Sequence, residues 1–166
     1  MEGIRILITG GTFDKQYDEL KGVLTFKNSH LPDIIRQARI TIPVELEINQ
    51  LIDSLEMKEE DRQNILAACK RAPEKRILIT HGTDRMVETA KVLGASELAN
   101  TFEKTIVLTG AMIPYAVAGS DSLFNLGCAF TAVQLLPPGV YITMNGRVFP
   151  WDRVRKNYDK GVFESL

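Results

Sequence analysis

The sequence is poor in the residues that build disulfide frameworks and metal sites. Two cysteines and two histidines occur among 166 residues, and no tight spacing joins them. A structural zinc site needs four nitrogen or sulfur ligands in a compact pattern, so this composition argues against one. Cys69 and Cys128 fall on predicted helices, where we expect small buried side chains with reduced thiols. We therefore expect no metal site.

Long apolar runs and an excess of one charge are missing as well. Lys and Arg number 20 against 21 Asp and Glu, so no basic surplus attracts nucleic acid. No stretch approaches the roughly 20 apolar residues that span a bilayer. The first residues, MEGIRILIT, lack the basic start, apolar stretch and cleavage site of a secretory signal. We expect a cytoplasmic protein that binds neither nucleic acid nor membranes.

Short apolar runs typical of buried strands alternate with helical segments along the whole chain. This alternation predicts a single α/β domain over residues 1–166. We expect it to be doubly wound, with a mainly parallel sheet and helices on both faces. The strands are predicted near 4–9, 44–52, 76–80, 105–109 and 140–144, and the helices near 31–38, 57–71, 84–98 and 120–135.

The remaining segments are less regular. Residues 12–28 are polar and mixed, which predicts a long loop or a hairpin of the kind that often forms a lid. The chain from Asn145 onward is predicted to be a polar tail. Asp84 is expected to cap the third helix, and Ser120 or Asp121 the fourth.

Two pieces of the chain nearly repeat each other. Residues 6–12 read ILITGGT and residues 77–83 read ILITHGT, and IVLTG at 106–110 has the same form. Ligands of parallel α/β sheets bind outside the carboxyl ends of the strands. The repeat therefore predicts that Thr12 and Thr83 lie on the same rim of one sheet.

A pair of hydroxyls beside a carboxylate is a candidate nucleophilic site. A threonine hydroxyl attacks only when a base takes its proton, and Asp84, Lys156 and Tyr17 are the candidates. The alternative is that the threonines only bond the backbone of their turns. His81 is expected to pack behind its turn and bond the backbone. The TGGT turn has no GKS or GKT and no third glycine, so a nucleotide site is disfavoured.

Four motifs in order resemble the bacterial-type L-asparaginases and glutaminases. They are TGGT at 9–12, HGTD with a methionine at 81–86, LTGAM-x-P at 108–114, and an asparagine–lysine segment at 145–156. Their order and spacing resemble the amino-terminal domain of that family from end to end. The resemblance implies an amidohydrolase with a threonine nucleophile, a small amide or amino-acid substrate, and no cofactor.

The resemblance also implies a role for individual residues. Thr12 matches the nucleophile, and Thr83, Asp84 and Lys156 match the Thr–Asp–Lys set. Asp84 would hold the substrate's α-amino group and Ser54 its α-carboxylate. Tyr17 is a candidate for the lid tyrosine. Val23 or Leu24 is the aligned alternative to Tyr17. The residues expected around the substrate and its oxyanion are Gly11, Ser54, Leu55, Gly82, Arg85 and Ala111, together with the backbone near Thr83.

The sequence departs from the family pattern at several positions. Leu55 stands where the family usually has glutamine or serine, Arg85 replaces a threonine, and Ile113 replaces an arginine. A cation at Arg85 would recognise a second carboxylate or a phosphate. The resemblance covers only the family's amino-terminal domain, and we expect this chain to lack the second domain, which in the family closes the site from a neighbouring subunit. We therefore expect a homo-oligomer, a dimer or a tetramer, that covers the cleft.

Two other functions remain open at this point. The chain is alternatively a catalytically weak module that binds an amino acid or regulates an assembly, as the changes at Leu55, Arg85 and Ile113 would favour. A further hypothesis is an amidohydrolase that acts on a larger substrate, which would enter a wider cleft. Each enzymatic hypothesis requires that folding gather the oxygens of Thr12 and Thr83 around one cavity, within reach of Lys156.

Overall fold

The computed structural model describes residues 3–97 and 103–166. Within these ranges the strands are β1 (Ile4–Gly10), β2 (Gln16–Asp18), β3 (Val23–Thr25), β4 (Val44–Ile52), β5 (Arg76–Thr80), β6 (Thr105–Thr109), β7 (Gly139–Met144), β8 (Arg147–Pro150), β9 (Val154–Asn157) and β10 (Val162–Ser165). A short 3-10 helix covers Thr12–Asp14, and the α-helices are α1 (Leu31–Gln37), α2 (Glu59–Arg71), α3 (Met86–Gly94) and α4 (Ser122–Leu135).

Six strands form the main sheet in the order β4-β1-β5-β6-β7-β8. Neighbours from β4 to β7 run parallel, and β8 pairs antiparallel with β7. Two separate hairpins, β2–β3 and β9–β10, complete the structure. The five predicted strands correspond to β1, β4, β5, β6 and β7, and the predicted doubly wound α/β fold is confirmed.

The central strands are buried on both faces, which explains their unbroken apolar sequences. In β1, Ile6 and Ile8 point into one core while Leu7 points into the other, because successive side chains of a strand alternate. Helices α2 and α3 cover the face of Leu7, and α1 and α4 cover the opposite face. Among the described helices, none is long and apolar enough to cross a membrane.

The predicted polar tail is wrong. The chain from Asn145 makes a tight turn and then forms β8, β9 and β10. Val154 on β9 and Phe163 on β10 are both buried in the core that α2 and α3 cover. These strands are only four residues long and carry polar side chains on one face, so their sequence shows no continuous apolar run.

The helix caps differ in part from the prediction. Helix α3 begins at Met86, with Arg85 in the capping position and no side-chain cap, because the carboxylate of Asp84 bonds elsewhere. Asp121 occupies the capping position of α4, but its carboxylate accepts the amides of Met112 and Ile113. Ser120, the other predicted residue, accepts the N–H of Ser122 at the start of α4 at 3.0 Å. The predicted end of the third helix, at residue 98, lies outside the described residues.

His81 directly follows β5 and is completely buried. Its Nδ1 lies 2.7 Å from the carbonyl oxygen of Gly82 and its Nε2 lies 2.8 Å from Thr89 Oγ1. A carbonyl only accepts, so Nδ1 carries the hydrogen and Nε2 accepts from the threonine hydroxyl. Burial lowers the pKa of His81 to about 4, and the ring is therefore neutral near pH 7. The expectation that His81 bonds the backbone behind its turn is confirmed.

This burial predicts a pH dependence of stability. The pKa of His81 is about 4 in the folded chain and near 6.5 in the unfolded one, so the unfolded chain takes up the proton first as the pH falls. Protonation of His81 therefore leaves the free energy of unfolding unchanged above about pH 6.5. As the pH falls towards 4, it lowers that free energy by a total of about 3 kcal/mol. Urea unfolding between pH 7 and 4.5 measures it. His81→Asn should flatten the slope; equal slopes for wild type and His81→Asn would contradict the assignment.

Two helical glycines give a matched test of packing. A Cβ added at Gly94 on α3 would overlap the indole ring of Trp151, whereas one added at Gly127 on α4 meets no atom within 4 Å. Both alanine substitutions favour the helix by about 0.5–1 kcal/mol. We expect Gly94→Ala to lower the free energy of unfolding by about 1–3 kcal/mol through overpacking, and Gly127→Ala to maintain or raise it. Similar urea midpoints for the two variants would show that Trp151 is free to move aside.

Candidate active site

The topology of the sheet gathers the repeated turns at one point. After β1 the chain crosses to β4 on one side, and it then returns to β5 on the other side of β1. In open α/β sheets, such a switch in direction leaves a crevice outside the carboxyl ends of the two neighbouring strands. The turns that carry Thr12 and Thr83 follow β1 and β5, so both lie at this switch point.

The glycines of these turns allow the two loops to touch. Gly11 has φ 75°, and a Cβ there would collide with the backbone of Gly82. A Cβ on Gly82 would in turn lie 2.5 Å from Ser54 Oγ. The loops after β1, β4 and β5 are therefore stacked, which brings the backbones that carry Thr12, Ser54 and Thr83 close together.

Lys156 joins this site from the far end of the chain. Its Nζ donates to Thr83 Oγ1 at 2.8 Å and to Asp84 Oδ1 at 2.7 Å. The side chain of Lys156 is 6 % exposed and that of Asp84 is 33 % exposed. The ammonium is thus nearly enclosed, whereas the carboxylate still reaches the solvent.

The alternation of β9 directs Lys156 inward. Val154, two residues earlier, points to the same face of the strand and is buried in the core. Phe163, which pairs with Lys156 across the hairpin, is buried as well. Arg155 and Glu164 form the neighbouring pair on the opposite face, where their charged groups lie 2.8 Å apart. Two buried apolar side chains thereby fix the direction of the lysine.

The hydroxyl of Thr83 has a second contact. It donates to Met112 Sδ at 3.6 Å while it accepts from Lys156. A thioether is a weak hydrogen-bond acceptor, so the contact with Met112 fixes the direction of the hydroxyl hydrogen only weakly. Met112 belongs to the LTGAM segment, but no feature of the sequence indicated that its sulfur would reach Thr83.

Residues expected to bind substrate lie in three different settings. Ser54 is buried behind the turn after β5, and its Oγ accepts the backbone N–H of Arg85 at 3.2 Å. Leu55 is exposed beside it. The guanidinium of Arg85 is half exposed and lies 3.3 Å from the carboxylate of Glu88. Ser54 therefore supports the turn from beneath, and Arg85 already has a carboxylate partner.

The turn after β6 forms the back of the site. A Cβ on Gly110 would collide with the carbonyl oxygen of His81 and would lie 3.4 Å from Thr83 Cγ2. Asn125 on α4 donates to the carbonyl of Gly110 at 2.9 Å. Ala111 follows and is buried. The turn at Gly110 and Ala111 is thus held against Thr83, and its expected position near the substrate's oxyanion stays a prediction.

The loop after β1 is anchored at its base. Thr12 is half-buried at the start of the 3-10 helix, and Phe13 beside it is in the core. Lys15 forms an ion pair of 2.6 Å with Asp53, and the side-chain hydrogen bond from Lys15 lowers the pKa of Asp53. The N–H of Gly11 donates to the carbonyl of Ile52 at 3.0 Å. That amide is therefore engaged by β4 instead of being open to a ligand.

Tyr17 does not contact the cluster. It lies on β2 opposite Leu24, in the exposed β2–β3 hairpin that the sequence predicted as a long loop or hairpin. Its hydroxyl oxygen is 4.0 Å from the position of a Cβ on Gly22, in the same hairpin. The tyrosine that does reach the cluster is Tyr158, whose hydroxyl donates to the carbonyl of Asp84. It lies in a short polar turn, and no motif pointed to it.

The comparisons with known proteins agree with this geometry. The family model "Asparaginase, N-terminal" matches residues 3–163. L-asparaginase 1 of Escherichia coli K12 is 29 % identical over 168 residues, which cover 96 % of this chain and 49 % of that protein. The 60 kDa lysophospholipase of Homo sapiens is 33 % identical over 129 residues, which cover 76 % of this chain and 22 % of that protein.

A solved structure of this family has a similar fold. The probable cytoplasmic L-asparaginase of Campylobacter jejuni matches with a TM-score of 0.81 at 28 % identity, over 99 % of this chain and 53 % of that chain. The chain thus spans about half the length of these asparaginases. Since the family model covers nearly the whole chain, the protein belongs to the asparaginase family and corresponds to its N-terminal domain.

Proposed function

We propose that the chain acts as an L-asparaginase-like amidohydrolase on the side-chain amide of asparagine or of a related small amide. The single observation that carries this proposal is the Thr83–Asp84–Lys156 cluster. Its lysine is 6 % exposed and contacts both partners at 2.8 Å or less. A nearly enclosed ammonium is costly unless it is paired, so the fold maintains this arrangement against a desolvation penalty.

In the proposed reaction Thr12 is the nucleophile. Its Oγ bonds to the amide carbon, the carbon–nitrogen bond breaks, and the hydroxyl proton leaves with the nitrogen as ammonia. Water then adds to the resulting ester, which releases the carboxylic acid and restores the hydroxyl. The reaction needs no redox partner and no cofactor.

The cluster would move the protons in both halves of the reaction. In the proposed path Thr83 would take up the proton of the attacking group, Thr12 in the first half and water in the second, as it passes its own proton to neutral Lys156 across their 2.8 Å contact. Asp84 would stabilise the ammonium that forms, which then returns the proton to the leaving group, the nitrogen in the first half and Thr12 in the second. The weak bond from Thr83 to Met112 leaves the hydroxyl hydrogen free to turn towards Lys156. Backbone amides around Thr83 and Ala111 would stabilise the oxyanion of the intermediate.

Substrate binding would use the open side of the same residues. The carboxylate of Asp84 is 33 % exposed and can accept the substrate's α-amino group while it holds Lys156. Arg85 is positioned on the surface beside it, and a second carboxylate on the substrate would compete with Glu88 for its guanidinium. Ser54, Leu55, Gly11 and Gly82 complete the proposed binding site.

The assembly and its location belong to the same proposal. We propose a homo-oligomer, a dimer or a tetramer, in which a second copy covers the open side of Asp84. The similar Campylobacter jejuni protein is a probable cytoplasmic L-asparaginase, and we propose the same compartment for this chain.

Substitution of the two threonines tests the chemistry. Thr12→Ala should lower kcat/KM for asparagine at least about 1000-fold, since it removes the attacking oxygen. Thr83→Val should lower it at least about 100-fold, since it removes the proton path but keeps the shape. Ammonia release over a panel of small amides measures both effects.

Thr105 provides the matched control for Thr83. Both residues are 6 % exposed, but Thr105 lies at the opposite end of the sheet and bonds the carbonyl of Leu136. Thr105→Val should leave kcat/KM unchanged. Turnover that survives in both Thr12→Ala and Thr83→Val would refute the mechanism, and thermal stabilisation by asparagine without turnover would indicate a binding module instead.

Lys156 gives an independent prediction. Lys156→Met should lower kcat at least about 100-fold while the chain remains folded, because the partner carboxylate keeps access to water. Lys104→Met is the control, because Lys104 donates to the carbonyls of Cys69 and Ala72 at the end of α2. That variant should lose stability and keep its kcat per folded molecule. A Lys156→Met enzyme with unchanged kcat would exclude the lysine from the reaction.

A further inference from the structure

Tyr158 lies in the turn between β9 and β10 and contacts two members of the cluster. Its hydroxyl donates to the backbone carbonyl of Asp84 at 2.7 Å. The Nζ of Lys156 lies 5.0 Å from the centre of its ring. One side chain therefore bonds the segment that carries the carboxylate and also packs against the lysine that the carboxylate holds.

The ring explains why the ammonium is so little exposed. An ammonium has three N–H groups, and the oxygens of Thr83 and Asp84 accept two of them. The ring of Tyr158 offers its negative face to the remaining side. Tyr158 itself is 62 % exposed while the lysine side chain is 6 % exposed, so the ring lies between Lys156 and the solvent.

The tyrosine hydroxyl remains a donor at neutral pH. Burial of the hydroxyl raises the pKa of Tyr158, and the nearby carboxylates of Asp84 and Glu88 raise it further, against a smaller opposing effect of Arg85. A phenol in this setting keeps its hydrogen at neutral pH. The bond to the Asp84 carbonyl is therefore a constant feature of the site.

We propose that Tyr158 is a positioning residue that locks Lys156 against Thr83 and Asp84. The kinetic consequence rests on the proposed amidohydrolase function, whereas the shielding of the lysine does not. The competing explanation is that Tyr158 only fastens the β9–β10 hairpin to the body of the domain. The two differ in what they predict for the reactivity of Lys156.

The test measures how fast trinitrobenzenesulfonate modifies each lysine, resolved by mass spectrometry of peptides. Tyr158→Phe loses one hydrogen bond, and we expect Lys156 to react about 3–10 times faster. Tyr158→Leu also loses the ring, which should add about another 3–10-fold. Tyr141→Phe is the matched control, because that hydroxyl bonds the carbonyl of Pro137 away from the site. It should change nothing.

In the same experiment, the modification rate of Lys104 shows whether a variant loosens the whole fold. Its ammonium is held by backbone carbonyls at the end of α2, so it should keep its rate in every Tyr158 variant. Faster reaction of Lys104 together with Lys156, or an unchanged rate at Lys156, would overturn the proposal. Should Tyr158→Leu fail to fold, Tyr158→Phe alone decides the question.

Kinetics separate this proposal from the proposed function. If the parent releases ammonia, both variants should lower kcat in the same order, with KM and melting temperature nearly unchanged. Unchanged kcat in both variants would overturn the positioning role and leave the amidohydrolase function in place. If the parent releases no ammonia and Lys156 still reacts faster in the variants, the function fails and the positioning role stands.

Discussion

The ammonium of Lys156, held between Thr83 and Asp84, is the interaction on which the rest of the site depends. Removing a charged amine from water costs several kcal/mol, and an ion pair returns that cost only when its geometry is good. Here two contacts of 2.7–2.8 Å and an aromatic face surround the group. In the proposed reaction, this geometry places the amine within hydrogen-bond distance of the hydroxyl through which a proton would move.

The fold supplies this geometry through apolar packing and close backbone contact. Val154 and Phe163 are buried under α2 and α3, and they fix the inward face of the β9–β10 hairpin, which Lys156 shares. The hydrophobic contribution of two core side chains therefore offsets the cost of directing a charge into the site. On the opposite wall, the loops after β1, β4 and β5 stack through Gly11 and Gly82, where a single Cβ would force them apart. Rigid strand ends consequently hold both threonine segments.

The parts of this structure that the sequence predicted are those with a strong local signal. The five buried strands are continuous apolar runs, and the repeated ILIT segments placed Thr12 and Thr83 at one rim because parallel strands end at the same edge. The last hairpin lacked that signal, since β9 (VRKN) contains one apolar residue and β10 (VFES) contains two. The sequence indicated a helix cap at Asp84 because a cap is a local interaction, whereas its real partner is 72 residues away. Tyr158 and Met112 were missed for the same reason.

The residues of the site fall into two groups with different positions and different proposed roles. In the proposed mechanism, proton transfer would depend on Thr83, Asp84 and Lys156, which meet within this chain around a nearly enclosed ammonium. In the same proposal, recognition of the substrate would depend on the open side of Asp84, on Arg85 and on the loop after Thr12. A change of substrate can therefore arise at Arg85 or in the hairpin without disturbing the enclosed cluster. In this proposal, that separation would account for a chain whose threonines, aspartate and lysine fit the family resemblance while Leu55, Arg85 and Ile113 depart from it.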